Sequence, residues 1–410
     1  MTVRARTASD RGPAAVVLGA QALRGVGYGL TAVQLGAVLR EQGLRSSAVG
    51  LVLAAIVAGN ALASLALGRW GDRIGRARAY KLLHAALALT GVVLVAGWPV
   101  WLLALVALSG ALSVEVVESG PFTTLEQVML ASTGAPQAKI TRGFGVYNAV
   151  ATLAGAAGAL LGTLPPSRPL IGGTLAVVGV TGALLATQLP GTVEAPRPEP
   201  GTAPPRPLAS SRRIVARLAA LFAVDSLAGG LVVQAWIAYW LGVRYGAPTR
   251  VVGAVFAVVG VLQAASFLAA PLLAARVGLL RTMVFTHLPS NLLLAAVPMA
   301  SSLPVAVGLL LARTCLSQMD VPTRQAYVMA LVPPAERTAA AATTNTARYI
   351  TRPAGPALAG LLQSLGLGLA WPFLAASAIK SAYDLALWRL FRPVQLPLPA
   401  DTATTTGGAA

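Results

Sequence analysis

Several ionisable side chains lie inside long apolar stretches of this sequence, where a charge is costly and needs a reason. The candidates are Arg24, Glu115, Glu118, Asp225, Arg313 and Asp320. A buried carboxylate can take up and release a proton when its surroundings change, and a buried guanidinium can hold a carboxylate or an anionic ligand. This pattern favours ion pairing, proton exchange or anion binding inside an apolar protein.

Asp225 is the candidate for a protonation switch, and Arg24, at a similar depth in its own apolar stretch, is its predicted partner. Burial disfavours the charged form of a carboxyl group, whereas a nearby arginine favours it. A change of contact between the two would therefore move a proton. The alternative is a permanent ion pair that joins two segments.

Several of the remaining charges allow more than one interpretation. Glu115 and Glu118 are three residues apart and share one helix face, so they could share a proton, bind a cation, or lie solvated at a cavity mouth. Arg313 could hold an anionic substrate group or neutralise Asp320. Lys380 and Asp384, four residues apart, are predicted to pair with each other.

Composition places the chain in lipid. Of its 410 residues 56% are hydrophobic and 11% are charged, against roughly a quarter charged in soluble proteins. One cysteine excludes a disulfide framework and a thiolate metal cluster. The net charge of +18 sits in short loops, which argues against nucleic-acid binding. Only two histidines occur, His84 and His287, so an intramembrane enzyme and a metal or cofactor site are not expected.

Twelve apolar runs have the length of a membrane-spanning helix. They cover residues 14–39, 47–68, 80–97, 99–131, 141–164, 168–189, 213–240, 250–274, 282–301, 303–331, 337–364 and 370–391. Their continuity excludes the alternation of a membrane β-barrel and predicts an all-α membrane protein.

A tight, arginine-rich loop follows the second run. Gly68, Asp72, Arg73, Gly75 and Arg76 form the pattern Gly-x-x-x-Asp-Arg-x-Gly-Arg. This pattern resembles the loop between the second and third helices of major facilitator superfamily transporters, and the resemblance covers nearly the whole chain. It implies twelve transmembrane helices in two pseudo-symmetric six-helix bundles, with helices 1, 4, 7 and 10 lining a central cavity. The buried charges fall on those four helices.

The resemblance also implies a role for the loop. In the family, the loop carboxylate docks against the other half when the transporter faces outward. The start of helix 11, near Glu336, Arg337 and Thr338, is the expected receiver, because a carboxylate suits a helix N-terminus. The alternative is a simple basic anchor on one side of the membrane.

The two halves of the sequence resemble each other at an offset near 200 residues. Gly75 matches Gly278 and His84 matches His287, which suggests parallel repeats. Glu126 and Arg324 also match but have opposite charge, and they are predicted to form a gate pair between the halves.

The predicted domains are an N-terminal bundle (1–189), a proline-rich linker (190–212), a C-terminal bundle (213–392) and a disordered tail (393–410). Most lysines and arginines lie in loops on the side of the termini, which predicts cytoplasmic termini.

The expected function is secondary transport by alternating access. An efflux-type bacterial member would be a monomer in the cell inner membrane that exports a small molecule in exchange for protons. The alternatives are proton-coupled uptake and facilitated passage of a small organic anion or a metal ion. A non-transporting receptor is disfavoured, because the loop pattern and the buried charges are both present.

Overall fold

The computed structural model describes residues 12–41, 46–97, 99–113, 116–117, 119–132, 135–162, 164–165, 167–195, 208–355, 358–359 and 368–394. The N-terminal half contains α1 (Pro13–Glu41), α2 (Ser46–Ile74), α3 (Arg76–Ala96), α4 (Val100–Ala107), α5 (Pro121–Ala131), α6 (Gln137–Leu161) and α7 (Arg168–Ala186). The C-terminal half contains α8 (Arg212–Leu231), α9 (Gln234–Tyr245), α10 (Thr249–Val277), α11 (Leu279–Ala296), α12 (Leu303–Ser317), α13 (Asp320–Leu331), α14 (Arg337–Thr351) and α15 (Trp371–Phe391). No strand occurs within these ranges, which confirms the predicted all-α class.

Many helices are long and apolar enough to cross a bilayer. Within the described ranges, seven meet this condition by length and composition: α1, α3, α6, α7, α8, α10 and α11. Their outward side chains are large and apolar, for example Leu184, Val261 and Leu272. Lipid is the environment in which exposing such an apolar surface carries no free-energy cost.

The structure corrects four spans that the sequence predicts as continuous: 99–131, 213–240, 303–331 and 337–364. The chain leaves the helix between α4 and α5, between α8 and α9, between α12 and α13, and after α14. Gly110 and Gly120 have φ angles of 74° and 62°, which no helix contains. Pro353, just after α14, lacks the N–H that a continuing helix would use. Such breaks are not visible in an apolar sequence, because a buried segment consists of apolar residues whether or not its backbone is helical.

The two halves meet on one side of the molecule, called here the linker side, which carries the α2–α3, α7–α8 and α10–α11 connections. There α2 packs on α14, and α6 packs on α10. A Cβ atom on Gly68 would lie 2.6 Å from the Cβ of Ala342, and one on Gly145 would lie 2.6 Å from the carbonyl oxygen of Phe267. These two glycines therefore permit the close approach of helices from opposite halves.

One apolar core spans both halves on the linker side. It includes Phe122 and Tyr147 of the N-terminal half with Phe222 and Tyr327 of the C-terminal half. Trp240 in α9 belongs to a separate core built within the C-terminal half. Among the described residues, the space between the two halves is thus closed on the linker side.

The repeat predicted from the sequence extends to the backbone. Gly75 precedes α3 with φ 93°, and Gly278 precedes α11 with φ 90°. Only glycine adopts such angles without strain. His84 and His287 then occupy corresponding, buried positions in α3 and α11.

Candidate functional site: two buried charge clusters

The N-terminal charge cluster consists of Arg24, Glu126, Tyr80 and Tyr147. Arg24 Nη1 donates to Glu126 Oε1 at 2.8 Å and Nη2 to Oε2 at 2.6 Å, a two-bonded pair between α1 and α5. The hydroxyls of Tyr80 in α3 and Tyr147 in α6 also donate to the Glu126 carboxylate. All four side chains are fully buried. One carboxylate therefore ties four helices of the N-terminal half together.

Aromatic and amide groups complete the surroundings of Arg24. Its guanidinium lies 4.3 Å from the ring centre of Phe122, and Nη2 also donates to Gln21 Oε1. His84 packs edge-on against Tyr80 and Phe122. Hydrogen bonds and ring contacts therefore surround the cation, although its buried Nε has no hydrogen-bond partner among the described residues.

The C-terminal charge cluster is built on Asp225 in α8. Lys380 Nζ of α15 lies 2.5 Å from Asp225 Oδ1, and Arg348 Nη1 of α14 lies 3.0 Å from Oδ2. All three side chains are buried. Ser226 donates to the carbonyl oxygen of Arg348 at 2.9 Å, which fixes α14 on α8. Protonation of Asp225 would remove the counter-charge of two buried cations at once.

A histidine–carboxylate pair lies beside this cluster. His287 Nδ1 in α11 is 3.0 Å from Asp384 Oδ1 in α15, and Asn291 Nδ2 donates to Asp384 Oδ2 at 2.8 Å. Asp384 and Lys380 lie on the same helix but contact different partners. Two titratable pairs therefore share α15.

Arg313 belongs to the same half as two buried carboxylates. It is half-buried in α12 and interacts electrostatically with both Asp225 and Asp320. Asp320 begins α13, where the helix dipole favours a carboxylate, and accepts a 2.7 Å hydrogen bond from Arg324 Nη1. Within the described part of the chain, the buried Nε of Arg313 has no hydrogen-bond partner.

The structure contradicts three pairings predicted from the sequence. Arg24 does not pair with Asp225, because its guanidinium faces Glu126 inside its own half. Glu126 and Arg324 do not form a gate pair, since Arg324 pairs with Asp320, also inside its own half.

Lys380 does not pair with Asp384, because it reaches Asp225 across to α8. The direction that each of these side chains faces was predicted wrongly. Glu115 and Glu118 lie outside the described residues.

The loop carboxylate lies against the other half. Asp72 Oδ1 accepts 2.8 Å hydrogen bonds from Thr338 Oγ1, in the first turn of α14, and from Arg76 Nε. Gly75 allows the sharp turn that orients Arg76 toward Asp72, whereas Arg73 is exposed. The predicted receiver at the start of helix 11 is the segment that Asp72 contacts.

Sequence reasoning missed most of the hydrogen bonds between the halves. Arg337 Nη1 donates to the carbonyl oxygen of Ala131 at 2.8 Å, at the end of α5. Gly120 N donates to the Tyr349 hydroxyl at 2.9 Å where the fourth span is interrupted. These contacts use backbone atoms, which a search for opposite charges does not find.

Further contacts between the halves join amide side chains, among them Asn148 Nδ2 with Gln325 Oε1 at 2.8 Å. Every hydrogen bond that joins described residues of the two halves lies between the middle of the helices and the linker side.

Two carboxylates cap the linker-side helix ends. Glu194 accepts from the backbone N–H groups of Arg76 and Ala77 at 2.6 and 3.1 Å, at the start of α3. Glu336 accepts from the backbone N–H groups of Ser210 and Ser211 at 2.7 and 3.0 Å. Burial alone would raise the pKa of the Glu336 carboxyl, but these hydrogen bonds outweigh it and hold the pKa below its usual value.

Comparison with known proteins agrees with this fold. The sequence matches the family profile of the Major Facilitator Superfamily over residues 17–356. An uncharacterized membrane protein of Saccharomyces cerevisiae, YJR124C, is 24% identical over 383 residues, which cover 83% of this chain and 85% of that protein.

Among solved structures, the human organic anion transporter MFSD10 (TETRAN) has a TM-score of 0.76 at 16% identity, covering 93% of this chain and 100% of that chain. FucP in its outward conformation has a TM-score of 0.74 at 12% identity, covering 93% and 99%. A bacterial homologue of the iron transporter ferroportin, outward-facing, has a TM-score of 0.67 at 18% identity, covering 92% and 100%.

These structures share the fold, and the family profile covers most of the chain. The protein is an integral membrane transporter of small substrates and not an enzyme. The chain belongs to the Major Facilitator Superfamily.

Proposed function

We propose that this protein works as a monomer in the cytoplasmic membrane and exports a small molecule in exchange for protons, with Asp225 as the residue that couples the two movements. The observation that carries the proposal is the position of Asp225, buried between Arg348 and Lys380 on two other helices. Such a carboxylate is charged while both cations hold it and would be protonated when they withdraw.

Adjacent residues of α14 connect the carboxylate to the contact between the halves. Arg348 binds Asp225, and the neighbouring Tyr349 accepts the hydrogen bond from Gly120 across the halves. The start of the same helix receives Asp72. A proton on Asp225 would loosen α14 from α8, and α14 carries the closed side with it. Protonation of Asp225 and opening of the linker side would in this way be coupled through α14.

The basic loops support a cytoplasmic linker side. With that orientation, the contacts of Asp72 and Arg337 close the cytoplasmic end, so the structure corresponds to an outward-facing state. The FucP structure named above is also in an outward conformation. Export then requires the closed side to open and admit the solute from the cytoplasm.

A small organic anion is the second candidate for the substrate, in either direction. Arg313 supports it, since this arginine is half-buried, lies near the coupling carboxylate and has an unused Nε–H among the described residues. The human relative of similar fold is an organic anion transporter by name. An anion bound at Arg313 would compete with Asp225 for positive charge, which gives a direct route to coupling. Among the described residues, no group of three or more His, Cys, Asp or Glu side chains is placed to hold a metal ion.

Purified protein in liposomes that contain a pH-sensitive dye tests the proposal. A panel of small cationic, zwitterionic and anionic solutes is added, and proton movement is recorded for the wild type, Asp225→Asn and the matched control Asp320→Asn. Solute-dependent proton flux that is lost in Asp225→Asn and kept in Asp320→Asn supports the proposal. Proton flux that survives in Asp225→Asn contradicts it, and so does labelled solute that crosses the wild type without any proton movement.

A further inference from the structure

The histidine–carboxylate pair beside the C-terminal charge cluster is a buried titratable group that the coupling proposed above does not use. The Asp384 carboxylate is buried, lies 3.0 Å from His287 Nδ1 and accepts from Asn291 Nδ2 at 2.8 Å. Within the described part of the chain, no lysine or arginine donates a hydrogen bond to it. A buried carboxylate without a cation is costly. With a neutral histidine the pair has one negative charge, and it reaches zero charge by taking up a proton.

Two comparisons within the protein show that this arrangement is particular to the pair. The other carboxylates of this cluster are held by cations, Asp225 by a lysine and an arginine and Asp320 by an arginine. The histidine at the corresponding position of the other half, His84, donates from Nδ1 to the carbonyl oxygen of Tyr80 at 3.0 Å. A backbone carbonyl group does not take up a proton at any ordinary pH, whereas a carboxylate beside an imidazole can exchange one.

The pair lies one helical turn closer to the linker side than the cluster on Asp225. Lys380, whose Nζ holds Asp225, and Asp384 are four residues apart on α15, about 6 Å along the helix axis. From there α15 continues to Phe391, beside the start of α11 on the linker side. Asp225 interacts electrostatically with both Asp384 and His287. A proton that leaves Asp225 toward the linker side therefore meets this pair next.

The charges around the pair allow the proton to leave again. α10 has charged residues only at its ends, Arg250 and Arg276. The other charged or titratable groups on the surrounding helices are Asp225 of α8, Arg313 of α12, Asp320 and Arg324 of α13, Arg348 of α14, and Lys380 and Tyr383 of α15. Among these groups and Asp384, four cations face three carboxylates. The surplus positive charge opposes a lasting imidazolium, so the pair can both accept and release a proton.

We propose that His287 and Asp384 carry the proton between Asp225 and the linker side, an inference that rests on the coupling role proposed for Asp225. The Asp225 carboxyl group gives up its proton as Lys380 and Arg348 return to it, and it becomes a carboxylate again. The proton passes through water to the His287 ring, which becomes an imidazolium beside the Asp384 carboxylate. The imidazolium then gives the proton to water on the linker side and is neutral again.

The first test observes the histidines directly, because the chain contains only two, His84 and His287. The full-length protein in detergent micelles is labelled with carbon-13 at histidine Cε1, and both signals are followed by NMR from about pH 5 to pH 9. The variant His287→Gln assigns them. The His287 signal should titrate, and Asp384→Asn should shift its titration, because the imidazolium loses its carboxylate. Ser377→Ala is the matched control, since it removes a 2.7 Å hydrogen bond from α15 to the carbonyl oxygen of Asn291 in α11 but no titratable group, and it should leave the titration unchanged.

The second test measures transport in liposomes, with the solute that gives the largest proton flux in the panel described above. His287→Gln and Asp384→Asn should each slow solute-driven proton flux about a hundredfold, the lower end of what a positioned proton-transfer group contributes. Both variants should still exchange labelled solute without a pH gradient, which shows that they are folded. Ser377→Ala should keep both activities.

Three results would overturn the relay. A His287 signal that does not change over this pH range would leave the pair as a structural contact. An equal loss of proton flux in Ser377→Ala would mean that any loosening of α11 from α15 is enough. Wild-type proton flux in both His287→Gln and Asp384→Asn would also overturn it. If flux is then lost in Asp225→Asn, the proposed coupling stands without the relay, and if flux is kept there too, both proposals fail.

Discussion

Replacing Arg24 with methionine should destabilise the protein by about 3–5 kcal/mol, the usual cost of removing one partner from a buried ion pair. The structure shows why the cost is high. Glu126 is fully buried and loses two of its four hydrogen bonds, which leaves a charged carboxylate with only the hydroxyls of Tyr80 and Tyr147. Methionine keeps the volume of the side chain near Phe122, so packing changes little.

A double-mutant cycle isolates this charge effect. Glu126→Gln alone leaves Arg24 buried without its counter-charge, at a cost of about 2–4 kcal/mol. The double variant Arg24→Met/Glu126→Gln removes both charges, and the Gln amide oxygen can still accept from a tyrosine. We expect it to be no less stable than the worse single variant.

The assay is the free energy of unfolding by denaturant in detergent micelles, with the exposed Arg142→Met as the control for loss of an arginine. Additive effects, within about 0.5 kcal/mol, would refute the assigned pairing.

Three further predictions follow from the described contacts. The swap Glu126→Arg/Arg324→Glu should not restore transport that either single reversal abolishes, because each residue is paired within its own half; recovery of solute uptake in liposomes would contradict this. Gly68→Ala should destabilise the closed state by about 1–3 kcal/mol, because the added methyl group overpacks the α2–α14 contact. Spin-label distances across the linker side should become longer in this variant. Gly143→Ala is the control, since Gly143 has open space around it, and it should leave these distances unchanged. Glu336→Gln should lower the unfolding temperature above about pH 5, and the difference from the wild type should shrink as the pH falls below the usual glutamate pKa, because a depressed pKa stabilises only while the group is ionised; a difference that grows at low pH would contradict it.

The architecture was predictable where glycine and charge mark the ends of apolar runs. Gly75 and Gly278 mark two helix starts in the sequence, and both have the positive φ that explains why glycine is there. Helix starts of this kind are local features, and local features are visible in a single sequence. The contact of Asp72 with the start of α14 is not local, and it was predicted from the resemblance of the loop to the facilitator loop, together with the preference of a carboxylate for a helix N-terminus.

The pairing of charges was not predictable, because it depends on the rotation of each helix. Arg24 and Asp225 have similar predicted depths in their apolar runs, yet one faces α5 and the other faces α14 and α15. A rotation of α1 by one residue, about 100°, would change the partner. A sequence of almost uniform apolarity carries little information about which face is buried, since lipid and protein core are both apolar.

One of the two capping carboxylates had a weak signal that was overlooked. Glu336 is a rare acidic residue on a strongly basic side of the molecule and directly precedes α14. A negative residue among arginines at such a position is a candidate cap. Glu194 lies in the linker, far along the chain from the start of α3 that it caps, so it carried no such signal.

Coupling through Asp225 is tested most directly by separating exchange from proton-driven accumulation. Liposomes are loaded with the solute that gave the largest proton flux, and labelled solute is followed first without and then with a pH gradient. The account predicts that Asp225→Asn exchanges labelled solute across the membrane but no longer accumulates it when a pH gradient is imposed, while Asp320→Asn does both. Accumulation by Asp225→Asn at the wild-type level would contradict the account and leave Asp225 as a structural ion pair.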